Sequence, residues 1–189
     1  LIFANNDRPG VMLASAAQHY ANAYGIRPGK RAVIFANNGS AYEVAEDLKK
    51  AGVDIAAIVD TRFDIPEQDR ARASRAEILP GHAIIDVAAG KGGATHGVTL
   101  KALDPTTGAP SGFPRDIACD LVAVSGGWTP SIHLFSQSKG KIKYDDARVA
   151  YVPGASTQRE QSAGAANGAL DLETCLQEGE QAGVNAAHN

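Results

Sequence analysis

Cysteine is nearly absent from this chain. Cys119 and Cys175 are the only two among 189 residues, and they lie 56 positions apart. That count and spacing exclude a disulfide framework and a local Cys-x-x-Cys redox pair, and they fit buried thiols in a reducing compartment. The sequence also has no apolar run near the roughly 18 to 20 residues that span a bilayer, and polar Asn5, Asn6, Asp7 and Arg8 replace a secretory apolar core. A soluble, untargeted, cytoplasmic protein without a membrane partner is the expectation. Eighteen basic against twenty-one acidic residues give a net charge of -3, with no stripe of Lys or Arg. A phosphate backbone needs such a stripe, so nucleic acid is not an expected partner. His19, His82, His96, His133 and His188 show neither Glu-x-x-His nor His-x3-His spacing, and no metal site is expected. Neither a Gly-x-Ser-x-Gly elbow nor a Gly-x4-Gly-Lys-Ser/Thr loop occurs, which removes the α/β-hydrolase and P-loop classes.

What the chain does have is an ordinary globular composition, 44% hydrophobic and 21% charged, with length for one full domain or a compact pair. It starts at Leu1 in what reads as mid-strand, without an initiator Met, which suggests a piece of something longer. Residues 1–4 read as a short strand before a polar turn, and 11–24 as an Ala-rich helix capped by Gly25. Residues 32–36 form a continuous apolar run, the mark of a strand buried on both faces. Ser40 and Glu43 have capping-box spacing, with Ala41, Val44, Ala45, Leu48 and Ala51 on one face and Gly52 as the stop. With the apolar run 53–59 this makes a strand-helix-strand unit on a parallel sheet, half of a Rossmann-type fold. A charged helix is predicted at 66–74, then a β-meander from 76–79, 83–88 and 97–103, a loop at 104–115 and a buried strand at 117–124. A short helix, a polar hairpin ending at 149–152, a helix at 162–182 and a frayed end at 183–189 complete the reading. The fold class is thus α/β, a Rossmann-like parallel sheet with a β-meander in a three-layer nucleotide-binding architecture.

A dinucleotide site on such a unit needs a tight glycine turn, a helix N-terminus aimed at the pyrophosphate and an acid ending the second strand. Asn37, Asn38, Gly39 and Ser40 form the turn, and Asp60, 22 residues after Asn38, is the acid. Ala36, Asn38 and Ala41 stand at the three glycine positions, so Asn38 puts a side chain where backbone and pyrophosphate should meet. Asn37 to Ser40 also reads as an ordinary strand-to-helix turn, and Asp60 as a solvated strand end. Arg62 is either a 2′-phosphate partner or a solvated charge. Gly126 and Gly127, and Gly154 with Ala155, follow two further apolar strands, where an α/β sheet receives its ligand, and together they point to one crevice. Trp128 is a packing residue or a stacking platform.

Phe3 to Met12, Asn37 to Tyr42, Ser125-Gly126-Gly127-Trp128-Thr129-Pro130 running on to Gln137, and Gly164 to Gly168 resemble the alpha subunit of heterotetrameric sarcosine oxidase. The likeness covers nearly the whole chain, and the stretch from Ser125 to Gln137 is its most specific part. The resemblance implies a pyridine nucleotide-disulfide reductase-like region: residues 28–122 an inserted NAD(P)-binding-like Rossmann domain, 1–27 and 123–189 parts of an incomplete FAD/NAD-type domain. It implies NAD on the alpha subunit, FAD and FMN through the beta subunit, tetrahydrofolate in the carboxyl half, and beta, gamma and delta subunits as partners. In the reductase relatives an Asp stands at the place of Ala155, so Gly154, Ala155 and a helix start at Ser162 are expected at the NAD site, and the turn at Asn38 is expected to be a degenerate second site. The implied activity is oxidative demethylation of sarcosine to glycine, with hydrogen peroxide formed and one carbon passed to tetrahydrofolate. No catalytic residue is expected in this chain, because a flavin takes the hydride. A vestigial nucleotide-fold module serving subunit assembly, and a fragment of an NAD(P)H-dependent flavin reductase, are the alternatives.

Overall fold

The computed structural model describes residues 1–73 and 76–188. The chain folds as two compact units, Leu1–Gly127 and Trp128–Asn189. In the first, β1 (Val11–Leu13), α1 (Ala14–Tyr24), β2 (Arg31–Ala36), α2 (Ser40–Lys50), β3 (Asp54–Asp60), α3 (Glu67–Arg72), β4 (Glu77–Pro80), β5 (His82–Ala89), β6 (Thr95–Leu103), β7 (Pro110–Ala118) and β8 (Leu121–Ser125) follow in chain order.

Five of these strands form one parallel sheet in the order β1-β8-β2-β3-β4. The apolar run of β2 is divided between two cores, as the twofold alternation of strand side chains requires. Ala32, Ile34 and Ala36 face a helical layer with Ala14, Ala17, Ala41, Val44 and Leu48. Val33 and Phe35 face the opposite way, toward Ile84, Val87, Val98, Leu100 and Ile117 of β5, β6 and β7. Those three strands are an antiparallel meander. Helices, parallel sheet and meander are therefore the three layers, and the expected fold class holds.

Several boundaries differ from the sequence reading. Residues 1–4 contribute one isolated bridge, Ala4 to Asp86, and the edge strand β1 occupies the start of the segment expected to be helical. β4 pairs with β3 at the edge of the parallel sheet and is no part of the meander. The third meander strand is β7, from the segment whose prolines and glycines predicted a loop. It is the outer strand, where proline is tolerated because its missing N–H faces no partner. The expected strand at 117–124 is split between β7 and β8. The predicted helix at 66–74 is the shorter α3, and Ser74 lies outside the described residues. β1 and α1 join the same sheet and core as residues 28–122, so the first unit includes the segment 1–27 that the resemblance assigns to a separate domain.

The second unit holds α4 (His133–Gln137), a hairpin of β9 (Ile142–Asp145) and β10 (Ala150–Pro153), and α5 (Leu172–Ala187). Its buried side chains include Phe135, Ala150, Val152 and Ala169. The helix predicted at 162–182 starts ten residues later than expected, at Leu172, because Gly164 (φ 62°) and Gly168 (φ 96°) adopt left-handed backbone that a helix cannot contain. Asp171 caps it by accepting from the Thr174 N–H at 2.8 Å, and it runs on through the segment expected to be frayed.

Candidate functional site

In a parallel α/β sheet, ligands sit outside the carboxyl ends of the strands, where neighbouring strands leave in opposite directions. Here that place lies between β2 and β8. Ala36 pairs with Ser125, β2 leads through α2 to β3, and β8 lies on the other side. The structure brings Asn37, Asn38, Gly39, Ser40, Asp60, Gly126 and Gly127 to this end of the sheet, as the nucleotide template requires.

The crevice is filled by its own side chains. Asn38 Nδ2 donates to Ser125 O and Ser125 Oγ, both at 3.1 Å, and to Asn37 Oδ1 at 2.8 Å. Asn37 donates its backbone N–H to Ser125 O at 3.2 Å and its Nδ2 to Gly126 O at 3.1 Å. Asn38 Oδ1 accepts from the Ser40 N–H at 3.1 Å and from Ser40 Oγ at 2.6 Å. Asn38, where a dinucleotide site has glycine, thus stitches the two strand ends together and satisfies a first-turn amide of α2. The expected capping box does not form. Ser40 is the first residue of the helix rather than its cap, and Glu43 Oε1 accepts from Arg72 Nη1 of α3 at 2.6 Å. Gly127 takes φ 96°, a left-handed turn that explains its glycine without a ligand.

Asp60 ends β3 where a ribose-binding acid belongs, yet it is completely buried. Its Oδ2 accepts from Tyr42 Oη at 3.0 Å and from Arg62 Nη2 at 2.8 Å, and its Oδ1 accepts from the Arg62 N–H at 2.9 Å and Arg62 Nε at 3.1 Å. Arg62 Nη2 also donates to Asp69 Oδ2 at 3.3 Å, so one guanidinium holds two carboxylates. Asp69, on α3, is 4% exposed, and a Cβ on Gly39 would stand 2.9 and 3.0 Å from its two oxygens. Tyr42 and Asp69 are site residues that the sequence reading assigned no role. Gly39, a bare Cα at the start of a helix, was the signal for a close neighbour.

Burial first, and then the Asp60 carboxylate, push the Tyr42 hydroxyl well above the usual value of 10.0. Hydrogen bonding to Asp60 leads the causes that hold the Arg62 guanidinium even more firmly charged. Tyr42 is an acid held protonated by the fold. The stability this gives is complete below the unfolded value near 10 and is lost as pH rises above it, by up to about 1.4 kcal/mol per pH unit. Native chain and Tyr42→Phe should therefore differ in urea midpoint near neutrality, and the gap should narrow as pH rises from about 9 to about 11. A gap constant across that range would show that Tyr42 ionises as freely in the folded state as in the unfolded one.

Gly154, Ala155 and Ser162 lie in the second unit. A Cβ on Gly154 would collide with the carbonyl of Lys141, the residue just before β9, so its glycine serves the hairpin. Both backbone groups nearby are committed, since Gly154 N–H donates to Lys141 O and Ala155 O accepts from Lys141 N–H, each at 2.9 Å. The Ala155 side chain is exposed. Ser162 does not start a helix, because the next element is a single 3-10 turn at Gly164–Ala166. Cys119 is buried in the core, and burial pushes its thiol up to about 11, which leaves it unreactive. Among the described residues no helix is long and apolar enough to cross a membrane.

No protein-family model matches the chain. It is 35% identical over 190 residues, 99% of its length, to the sarcosine oxidase alpha subunit of a Corynebacterium species. It is 35% identical over 95% of its length to that of Rhizobium meliloti. The chain spans about a fifth of these relatives, 19% and 17% of their lengths. Among solved structures, a thioredoxin reductase of Lactococcus lactis superposes with a TM-score of 0.60 at 16% identity, over 100% of this chain and 61% of that one. The fold is shared with solved thioredoxin reductases, and over essentially its whole length this chain is a relative of one segment of the sarcosine oxidase alpha subunits.

Proposed function

We infer that this chain is the nucleotide-domain region of the alpha subunit of a heterotetrameric sarcosine oxidase, an oxidoreductase that uses oxygen to demethylate sarcosine to glycine. Hydrogen peroxide is the second product, and the one-carbon unit passes to tetrahydrofolate. The observation that carries this reading is the 35% identity to such a subunit over 99% of this chain. NAD is the alpha-subunit cofactor in this reading, with FAD and FMN held through the beta subunit and tetrahydrofolate in the rest of the alpha subunit. Beta, gamma and delta subunits are its partners.

The residues of the first unit do not fit NAD. Asp60 has both oxygens engaged, Asn38 fills the glycine position, and a carboxylate stands at the start of α2. In this reading the dinucleotide is NAD on the face carrying Ala155, where the Asp that holds a flavin in the reductase relatives is missing and ordinary FAD loses its acceptor. Introducing Ala155→Asp into the complete alpha subunit within its complex should weaken NAD binding at least tenfold by calorimetric titration. An unchanged NAD affinity would remove Ala155 from the site.

The closed crevice favours a second reading, in which this nucleotide fold has become an assembly module. Titration of the complete alpha subunit with NAD, NADP and FAD separates the two. Heat with NAD alone supports the cofactor reading, and no heat with any of the three supports the assembly module.

A further inference from the structure

The geometry points to Asp69 as a built-in anion that occupies the pyrophosphate position of the crevice at the start of α2, so that residues 1–127 bind no dinucleotide there. This deepens the assignment of NAD to the other unit and rests on that reading only for where the nucleotide goes instead.

Three observations carry the inference. First, the helix start is the place where a Rossmann-type unit receives phosphate, because free amides and the positive end of the helix dipole converge there. Second, the Asp69 carboxylate, 4% exposed, lies against the bare Cα of Gly39 in that place, at the distances already given. An oxyanion of the protein thus stands where an oxyanion of the ligand would stand, and the missing side chain of Gly39 makes room for it. Third, the other polar groups of a nucleotide site are turned inward. Asp60, the ribose acid, is consumed by Tyr42 and Arg62, and Arg62, the cation expected to favour a 2′-phosphate, clamps Asp60 and Asp69 instead.

The charges agree with this assignment. Asp60, Asp69 and Arg62 together leave one negative charge, and the positive end of α2 is where it is least costly. A pyrophosphate at the same spot would meet two carboxylates, with the guanidinium already engaged. Asn38 closes the remaining approach by bridging to Ser125. The latch lies on α3, a six-residue helix tied to α2 by the Arg72 to Glu43 ion pair at 2.6 Å, so closure needs no partner.

Amide chemical shifts of the ¹⁵N-labelled full chain, recorded at constant ionic strength during titration with inorganic pyrophosphate and then NAD, test this directly. With Asp69 present, the Gly39 and Ser40 amides should not move with either probe. In Asp69→Ala they should move saturably with pyrophosphate, with an affinity at least tenfold above any in the native chain, because the slot is emptied and Arg62 is released from one partner. Asp69→Asn, which keeps the shape and removes the charge, should give a smaller gain, and it serves if the alanine variant does not fold. Saturable shifts of Gly39 and Ser40 in the native chain overturn the proposal, as does a folded Asp69→Ala that gains nothing. NAD that moves amides near Ala155 but not those at Gly39 supports both this proposal and the NAD assignment. NAD that moves neither supports the plug while sinking the NAD assignment for this chain.

Discussion

Arg62→Ala should destabilise the chain by about 3 to 5 kcal/mol. The guanidinium is the cation that Asp60 and Asp69 share, and both carboxylates are buried. Removing one partner of a buried pair leaves a desolvated charge behind, which costs more than the pair itself contributes. Tyr42 still donates to Asp60 after the change, so that carboxylate keeps a hydrogen bond while losing its counter-charge. A follow-up measurement identifies the cause. Adding Asp60→Asn to Arg62→Ala should recover part of the loss, because it removes one of the stranded charges. If urea unfolding places Arg62→Ala within about 1 kcal/mol of the native chain, the cluster is solvated and behaves as an exposed ion pair.

Phe35→Ala should cost a similar amount, about 3 to 5 kcal/mol out of the roughly 5 to 15 that a domain of this kind possesses. Phe35 is 2% exposed and meets Phe3 edge-on, with ring centroids 5.6 Å apart and planes at 70°. It stands between the parallel sheet and the meander, where truncation leaves a cavity bounded by two sheets that cannot both close on it. Phe113 is the control. It is 97% exposed on the outer strand of the meander, and Phe113→Ala should fall within about 0.5 kcal/mol of the native chain. A loss at Phe35 no larger than at Phe113 would mean that the meander does not pack on the sheet. The expected readout is a lower urea midpoint with an unchanged slope, since the surface exposed on unfolding stays nearly the same.

The apolar run of β2, the amphipathic face of α2 and the acid at the end of β3 are local signals, and each element stands where its pattern placed it. The meander was legible as a topology but not in its members. Whether a short apolar stretch such as β4 joins one sheet or another depends on partners far away in sequence, and the prolines of β7 forbid a central strand without forbidding an edge. At the site, Asp60 and the Asn37 to Ser40 turn could be named from spacing alone. Their engagement could not, because it depends on Asp69 arriving from α3 and Ser125 from β8, about 30 and 90 residues from the turn. Polar residues at a strand end look the same in sequence whether they face a ligand or one another.

The sheet borders in the first unit carry a consequence for self-association. Unpaired strand edges recruit other chains, and proteins blunt them by shortness, proline or cover. β1 has three residues and β4 four, the latter ending in Pro80, so neither end of the parallel sheet offers a long template. β7 has Pro110 and Pro114 in its outer row, which interrupts the run of donors a visiting strand would need. The free side of β5 is overlaid by the opening segment of the chain, where Ala4 N–H donates to Ile85 O at 3.1 Å and Arg8 Nε to Val87 O at 3.0 Å. Residues 4–8 therefore act as a guard strip against fibre-like stacking, and trimming them would expose a strand that the intact chain keeps covered.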